Sequence, residues 1–149
     1  MKKIWLLSLW ILTFNFAFAQ ININDFNQNF EQNPKPIFMY FSTDWCGICK
    51  IQTKEIENNE VVKSQLNSDV YFLSLDGESK DEIQFLNYNF KASTLTSKTH
   101  SLVLEFVDPT EVSFPLWIIL NEKLEIIGKY SGLIKSKKLE KLIQQIKKE

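Results

Sequence analysis

The chain contains no arginine: all of its 17 basic residues are lysine, set against 18 acidic residues for a formal net charge of −1. Without a dense basic run there is no electrostatic footprint for nucleic acid, and the C-terminal lysines alternate with apolar residues as on a solvated helix face. His100 is the only histidine, so the two cysteines and this imidazole leave a zinc site short of a fourth strong ligand. The residue after the second cysteine is Lys50 rather than histidine, which argues against covalent haem attachment. Glycine and proline number only four each, too few for a collagen-like or disordered chain, and no glycine-rich phosphate loop is present. The acidic group Asp76, Glu78, Asp81 and Glu82 reads as a solvated loop rather than a calcium site. No metal site is expected.

What remains is 149 residues with 44% hydrophobic content, enough apolar mass for one domain with a substantial core. The first nineteen residues differ from the rest. Lys2-Lys3 form a basic start, Ile4 to Phe18 is mostly apolar, and Ala17-Phe18-Ala19 precedes Gln20. This pattern predicts a signal peptide over residues 1–19 and an exported, periplasmic or otherwise extracytoplasmic domain over 20–149. The competing reading is an uncleaved N-terminal membrane anchor, because the apolar stretch approaches spanning length. Loss of Lys2 and Lys3 leaves 15 basic against 18 acidic residues, a net charge of −3. No cysteine follows the cleavage point, so a lipid anchor there is excluded.

The only two cysteines, Cys46 and Cys49, lie in Ile37-Phe38-Met39-Tyr40-Phe41-Ser42-Thr43-Asp44-Trp45-Cys46-Gly47-Ile48-Cys49-Lys50. An apolar, β-forming run leads into the pair, and polar helix formers follow to about Glu57. A helix starting at Cys46 places that sulfur where unpaired N–H groups and the helix dipole stabilise a thiolate. Cys49, three residues on, shares its face and lies within disulfide reach. In an exported protein such a pair could be a structural staple. A loop closed across two residues removes little chain entropy, however, so a redox role accounts for it better.

Along the rest of the chain, Phe26 and Phe30 predict a short amphipathic helix within 24–33 capped by Asp25, ended by Pro34 and Pro36. Ile37 to Phe41 reads as a central strand, and Asn58-Asn59 as a helix break opening a second short helix with Val61, Val62 and Leu66. Val70 to Leu75 reads as a strand. Residues 78–99 fit either a helix with Ile83, Leu86 and Phe90 on one face or a hairpin turning at Asn87 to Asn89, the preferred reading. A short helix follows over His100 to Val107, with His100 at its start or on the surface. Leu116 to Leu120 and Leu124 to Tyr130 form an antiparallel hairpin with a bulge or close approach at Gly128. A last helix carries Leu139, Leu142, Ile143 and Ile146 inward. The order predicts an α/β fold, a central mixed sheet with helices on both faces.

Trp45-Cys46-Gly47-Ile48-Cys49-Lys50 after a strand, with Phe114-Pro115 before a terminal hairpin and helix, resembles the thioredoxin-fold superfamily over roughly Ile37 to Glu149. With its helix broken at Asn58-Asn59, the chain is most similar to the C-terminal thioredoxin-like domain of the transmembrane thiol reductase DsbD and related exported proteins. The resemblance implies that Cys46 attacks and Cys49 resolves. It further implies that Pro115 is a cis-proline placing the Phe114 backbone beside the disulfide for an extended substrate segment. Gly47 and Ile48 would line the same surface and Trp45 would pack beside it, unless Trp45 is an ordinary core aromatic. Two departures stand out. Where the family carries a buried acid five residues before the tryptophan, this chain has Tyr40. Where the DsbD-type domain tends to have glutamate four residues after the second cysteine, it has Thr53.

No cation lies between the cysteines, so the thiolate and the reduced state should be only modestly stabilised and the pair should sit toward the reducing end. The reading is therefore an exported protein-disulfide reductase or electron relay. It needs no cofactor beyond its own redox-active disulfide. Its implied partners are disulfide-containing exported proteins, with a membrane thiol reductase as electron donor. The alternative is a binding or adaptor module on the same scaffold with a weakened redox site. A thiol peroxidase fits worse, since the arginine that usually activates its cysteine is absent.

Overall fold

A computed structural model describes residues 21–147, which form helix α1 (Ile23–Asn29), strand β1 (Ile37–Ser42), and helices α2 (Gly47–Glu57) and α3 (Glu60–Ser68). Strand β2 (Tyr71–Asp76), a small hairpin β3 (Ile83–Phe85) and β4 (Tyr88–Phe90), and the single-turn helix α4 (Ser101–Leu104) come next. Strands β5 (Leu116–Leu120) and β6 (Ile126–Ser131) and helix α5 (Ser136–Ile146) complete the chain. The expected signal peptide, residues 1–19, lies outside the described residues.

The main sheet has the order β2-β1-β5-β6, with β1 and β2 parallel and the other two pairs antiparallel. Side chains on a strand alternate between faces, so the nearly unbroken apolar run of β1 splits into two cores. Ile37, Met39 and Phe41 join Leu116, Ile118 and Leu120 of β5 beneath α1 and α4. Phe38 and Tyr40 join Phe72, Trp117 and Ile119 beneath α3 and α5, with Ile56 of α2. This is the expected α/β architecture, a mixed sheet covered on both faces.

Several boundaries differ from expectation for identifiable reasons. Helix α1 is capped by Asn22, whose side chain accepts the Asn24 N–H, so Asp25 sits inside the first turn. Of the pair Asn58-Asn59 it is Asn59 that caps α3, and of that helix's three apolar residues Val62 and Leu66 are buried while Val61 points half into solvent. The β3–β4 hairpin turns at Leu86-Asn87, not at Asn87 to Asn89. Leu86 takes a left-handed backbone (φ 53°), and the Asn27 amide of α1 clamps it, accepting from Leu86 N (2.7 Å) and donating to Gln84 O (2.8 Å). Strand β6 starts at Ile126 because the Asn121 side chain gathers the N–H groups of Lys123 and Glu125 into a longer turn. A register irregularity between Ile119 and Leu120 falls where Gly128 pairs, and an added Cβ there would meet the Tyr130 ring, as the close-approach reading anticipated.

His100 does start α4, but it is wholly buried rather than on the surface. Its Nδ1 accepts the Leu102 N–H (3.1 Å), which leaves Nε2 to donate to the Asp81 carbonyl (3.1 Å). That is the neutral imidazole, and burial holds its pKa below the usual 6.5 despite the Asp81 bond and the nearby Asp76 charge, which oppose the shift. Because the unfolded chain takes up this proton more readily, the contribution is complete above about pH 6.5 and falls as pH drops toward the lower folded pKa. Glu55 and Asp108, whose carboxyls are held below their ordinary values by Ser136 and Thr110 respectively, lose their contributions in a lower pH range. The urea midpoint should therefore drop between pH 7.5 and 5, and His100→Asn, which keeps a capping acceptor without a proton to gain, should flatten that drop. Equal slopes for the two proteins would contradict this.

Candidate active site

Three chain segments meet at one end of the sheet. Phe41 pairs with Leu116, and Ser42 with Asp76, so the loops after β1 and β2 and the loop before β5 converge there. They bring the Thr43–Cys46 turn, Gly77-Glu78 and Phe114-Pro115 together.

Cys46 and Cys49 form a disulfide with Cα atoms 5.2 Å apart. Cys46 is the N-cap of α2, and its Sγ accepts the Cys49 N–H (3.1 Å), one of the donors a helix start leaves unpaired. Both cysteines are sealed in this form, 4% and 3% exposed. The asymmetry lies in their anchoring. The Cys49 carbonyl accepts from both Tyr40 Oη (3.0 Å) and Thr53 Oγ1 (3.1 Å). Cys49 is thus tied to the strand beneath it, while Cys46 sits at the free helix end.

The remaining sequence-proposed residues surround the pair. Gly47 and Ile48 are exposed. Trp45 is 68% exposed, which rules out the core-aromatic reading, and its Nε1 donates to Glu78 (3.0 Å). The Phe114–Pro115 peptide bond is cis, as the resemblance implied, and the buried Pro115 carbonyl accepts from Gly132 N (2.8 Å). Phe114 lies edge-on to Trp45 with ring centroids 6.4 Å apart, and its ring packs onto Gly77 so closely that a Cβ there would collide with it.

Tyr40 stands in the position of the family's acid, its hydroxyl donating to the Cys49 carbonyl. Burial raises its pKa above the phenolic 10, against a lowering from its hydrogen bond to Thr53. Its ring is held by Trp117 (centroids 4.7 Å) and Phe72 (6.3 Å). Room for water exists instead in a cavity of about 250 Å³ beside Cys49, lined by Thr43, Asp44, Lys50, Thr53 and Asp76 among others. The buried Thr43 hydroxyl in that lining has no partner among the described residues.

Sequence reasoning missed three supports. Gln52, wholly buried, makes two reciprocal bonds with Ile134, donating to its carbonyl (3.0 Å) and accepting its N–H (2.7 Å), which fixes α2 to the loop before α5. The Cys49, Gln52, Ile56 spacing along one helical face was the available signal. Gly77 and Glu78 left none, because their partners Phe114 and Trp45 are remote in sequence. Among the described residues no group of three or more His, Cys, Asp or Glu could hold a metal ion.

A family model described as a thioredoxin-like domain matches residues 24–147. Among solved structures, the DsbH oxidoreductase is similar with a TM-score of 0.58 at 16% identity, covering 87% of this chain and 84% of that one. A disulphide isomerase from Xylella fastidiosa gives 0.57 at 13% identity over 93% and 98% of the two chains. Thioredoxin-2, a component of malaria parasite protein secretion machinery, gives 0.52 at 20% identity over 74% and 82%. At these identities the likeness is one of fold. No curated protein matches the chain significantly.

Two outcomes follow from the geometry. Tyr40→Phe should cost about 1 kcal/mol of stability, one buried hydrogen bond, while leaving the pH–rate profile of thiol exchange unchanged. A shifted profile would mean that the phenol does handle the proton. Gly77→Ala should displace the Phe114 ring and lower stability by about 1–3 kcal/mol, as overpacking does, measurable as a reduced denaturation midpoint.

Proposed function

The chain belongs to the thioredoxin-like family, and we propose that it is an exported thiol–disulfide oxidoreductase working in the reducing direction. The observation that carries the reading is the Cys46–Cys49 disulfide at the N-terminus of α2, with the Cys46 sulfur accepting a helix-start N–H. In the reduced protein the same N–H favours the Cys46 thiolate.

The cycle conserves two electrons. The Cys46 thiolate attacks one sulfur of a substrate disulfide, forming a mixed disulfide and expelling the other substrate sulfur as a thiolate. The Cys49 thiol gives its proton to water in the adjoining cavity. Its thiolate then attacks Cys46 Sγ, which releases the second substrate thiolate and restores the Cys46–Cys49 disulfide. A membrane thiol reductase returns the two electrons. The apolar stretch ending in Ala17-Phe18-Ala19 supports export. The break between α2 and α3 at Asn58-Asn59 supports the relationship to the DsbD-type domain. The adaptor reading draws on Tyr40, which leaves no buried acid to speed the second step.

Insulin reduction with dithiothreitol separates the two, since an adaptor gives no acceleration above background. Cys46→Ser should abolish turnover, and Cys49→Ser should accumulate mixed disulfides with substrate. Mass spectrometry of the alkylated reduced protein should find Cys46 modified first, and faster modification of Cys49 reverses the assignment.

The direction has its own measurement. Gly47-Ile48 supplies no charge, so equilibration with glutathione should give a potential of about −200 to −270 mV. Ile48→His, at a half-exposed position, should raise it by some tens of millivolts, where ~30 mV is a tenfold change in the exchange constant. A wild-type value near ~−120 mV, that of a strong oxidant, would reverse the proposed direction.

A further inference from the structure

The chain between β2 and α4, residues 77–100, adds a wall beside the disulfide. Its base is stapled to the loop after β2: Ser93 N donates to Ser79 O (2.8 Å), Ser93 Oγ to Glu78 O (2.7 Å), and His100 N to Gly77 O (2.8 Å). Its tip is a closed turn, with Thr94 N bonded to Ser97 O (2.7 Å) and Ser97 N to Thr94 Oγ1 (2.9 Å). That turn holds Leu95 99% exposed.

Between this wall and the active-site loop runs an open groove of about 610 Å³, lined by Trp45, Glu78, Lys80, Thr94, Leu95 and Lys98. Its two apolar members, Trp45 and Leu95, are both largely exposed. Its charge is uneven. Glu78 is engaged by the Trp45 indole and Lys80 by Ser93 Oγ (2.9 Å), whereas Lys98 has no ion-pair partner among the described residues. Trp45, which lines the groove, immediately precedes Cys46 in the chain.

We infer that this groove is a specificity site for the extended segment flanking the substrate's reactive cysteine, seating an apolar side chain between Trp45 and Leu95 and a carboxylate against Lys98. The inference rests on the reductase reading and adds a sequence preference to it. The volume suits two or three side chains of an unfolded or loop segment. Both lysines on the rim disfavour a basic neighbour in the same position.

The test uses synthetic peptides with one cysteine disulfide-bonded to cysteamine and flanked by Leu and Asp, by Ser and Asp, or by Leu and Lys. Hydroxyethyl disulfide, too small to reach the groove, normalises each rate. Wild-type kcat/KM for the Leu/Asp peptide, relative to hydroxyethyl disulfide, should exceed that for either other peptide by about fivefold to tenfold. Leu95→Ser should erase the Leu-over-Ser preference, and Lys98→Glu should invert the Asp-over-Lys preference by about threefold, the scale of an exposed ion pair. Both sites are on the surface, so neither change should disturb folding.

A second arm separates this inference from the reductase reading. Fluorescein-labelled Cys→Ser versions of the peptides are titrated with the oxidised protein and followed by anisotropy. If no substrate is turned over, the reductase reading fails, and a weaker Kd for the Leu/Asp peptide in both variants still supports the groove. Preferences and Kd values that are the same in wild type and both variants overturn it.

Discussion

Burial of β1 on both faces is the constraint on which the rest depends. Five consecutive residues, Ile37 to Phe41, are at most 2% exposed. At about 1.5–3 kcal/mol for each buried large apolar side chain, this run makes a strong claim on the interior, matched among the described residues by its antiparallel partner Leu116–Leu120, buried to the same degree. Two partner strands and helices on both sides follow from that demand. The parallel partner β2 requires a crossover, and α2 and α3 provide it. The end of β1 is then the place where the chain leaves a rigid strand and enters a helix, so the first turn of α2 is held on a firm base.

That base explains how Tyr40 stands where an acid is expected. Its ring packs with Trp117 and Phe72, and its hydroxyl finds the Cys49 carbonyl, as does Thr53. An ionised carboxylate in this aromatic surrounding would carry a large desolvation cost. A phenol satisfies its one donor and stays neutral. The exchange swaps a titrating group for a positional one. The Cys49 carbonyl is thereby held from two sides, next to a cavity lined by Thr43 and Thr53 among others.

The segment after β2 works on a different principle. It adds Phe85 to one core, with Ile83, Leu86 and Phe90 packed against it, and side-chain and backbone hydrogen bonds at its ends keep it in place. Gly77 lets the Phe114 ring pack close, Glu78 takes the Trp45 indole, and the neutral His100 closes the segment onto α4. The loop carrying the disulfide and the loop beside it are therefore one connected surface, with exposed Trp45, Ile48 and Leu95 around the site.

The apolar run before Cys46, the three-residue spacing to Cys49, the Phe114-Pro115 dipeptide and the amphipathic last helix were enough to place the fold and the reactive pair. Each is a local pattern, in which the period of burial or the reach of one helical turn is written into neighbouring residues. The capping residue of α1, the turn at Leu86, the burial of His100, the Gln52–Ile134 bridge and the Trp45–Glu78 contact were not legible in that way. In most of these the deciding partner lies far away in the chain: Asn27 is 59 residues from Leu86, Gln52 is 82 from Ile134, and Trp45 is 33 from Glu78. Local sequence determined which residues had to be inside and which sulfurs could meet. Which polar groups answer each other across the sheet was decided only when the strands took their register and brought those distant segments within hydrogen-bonding distance.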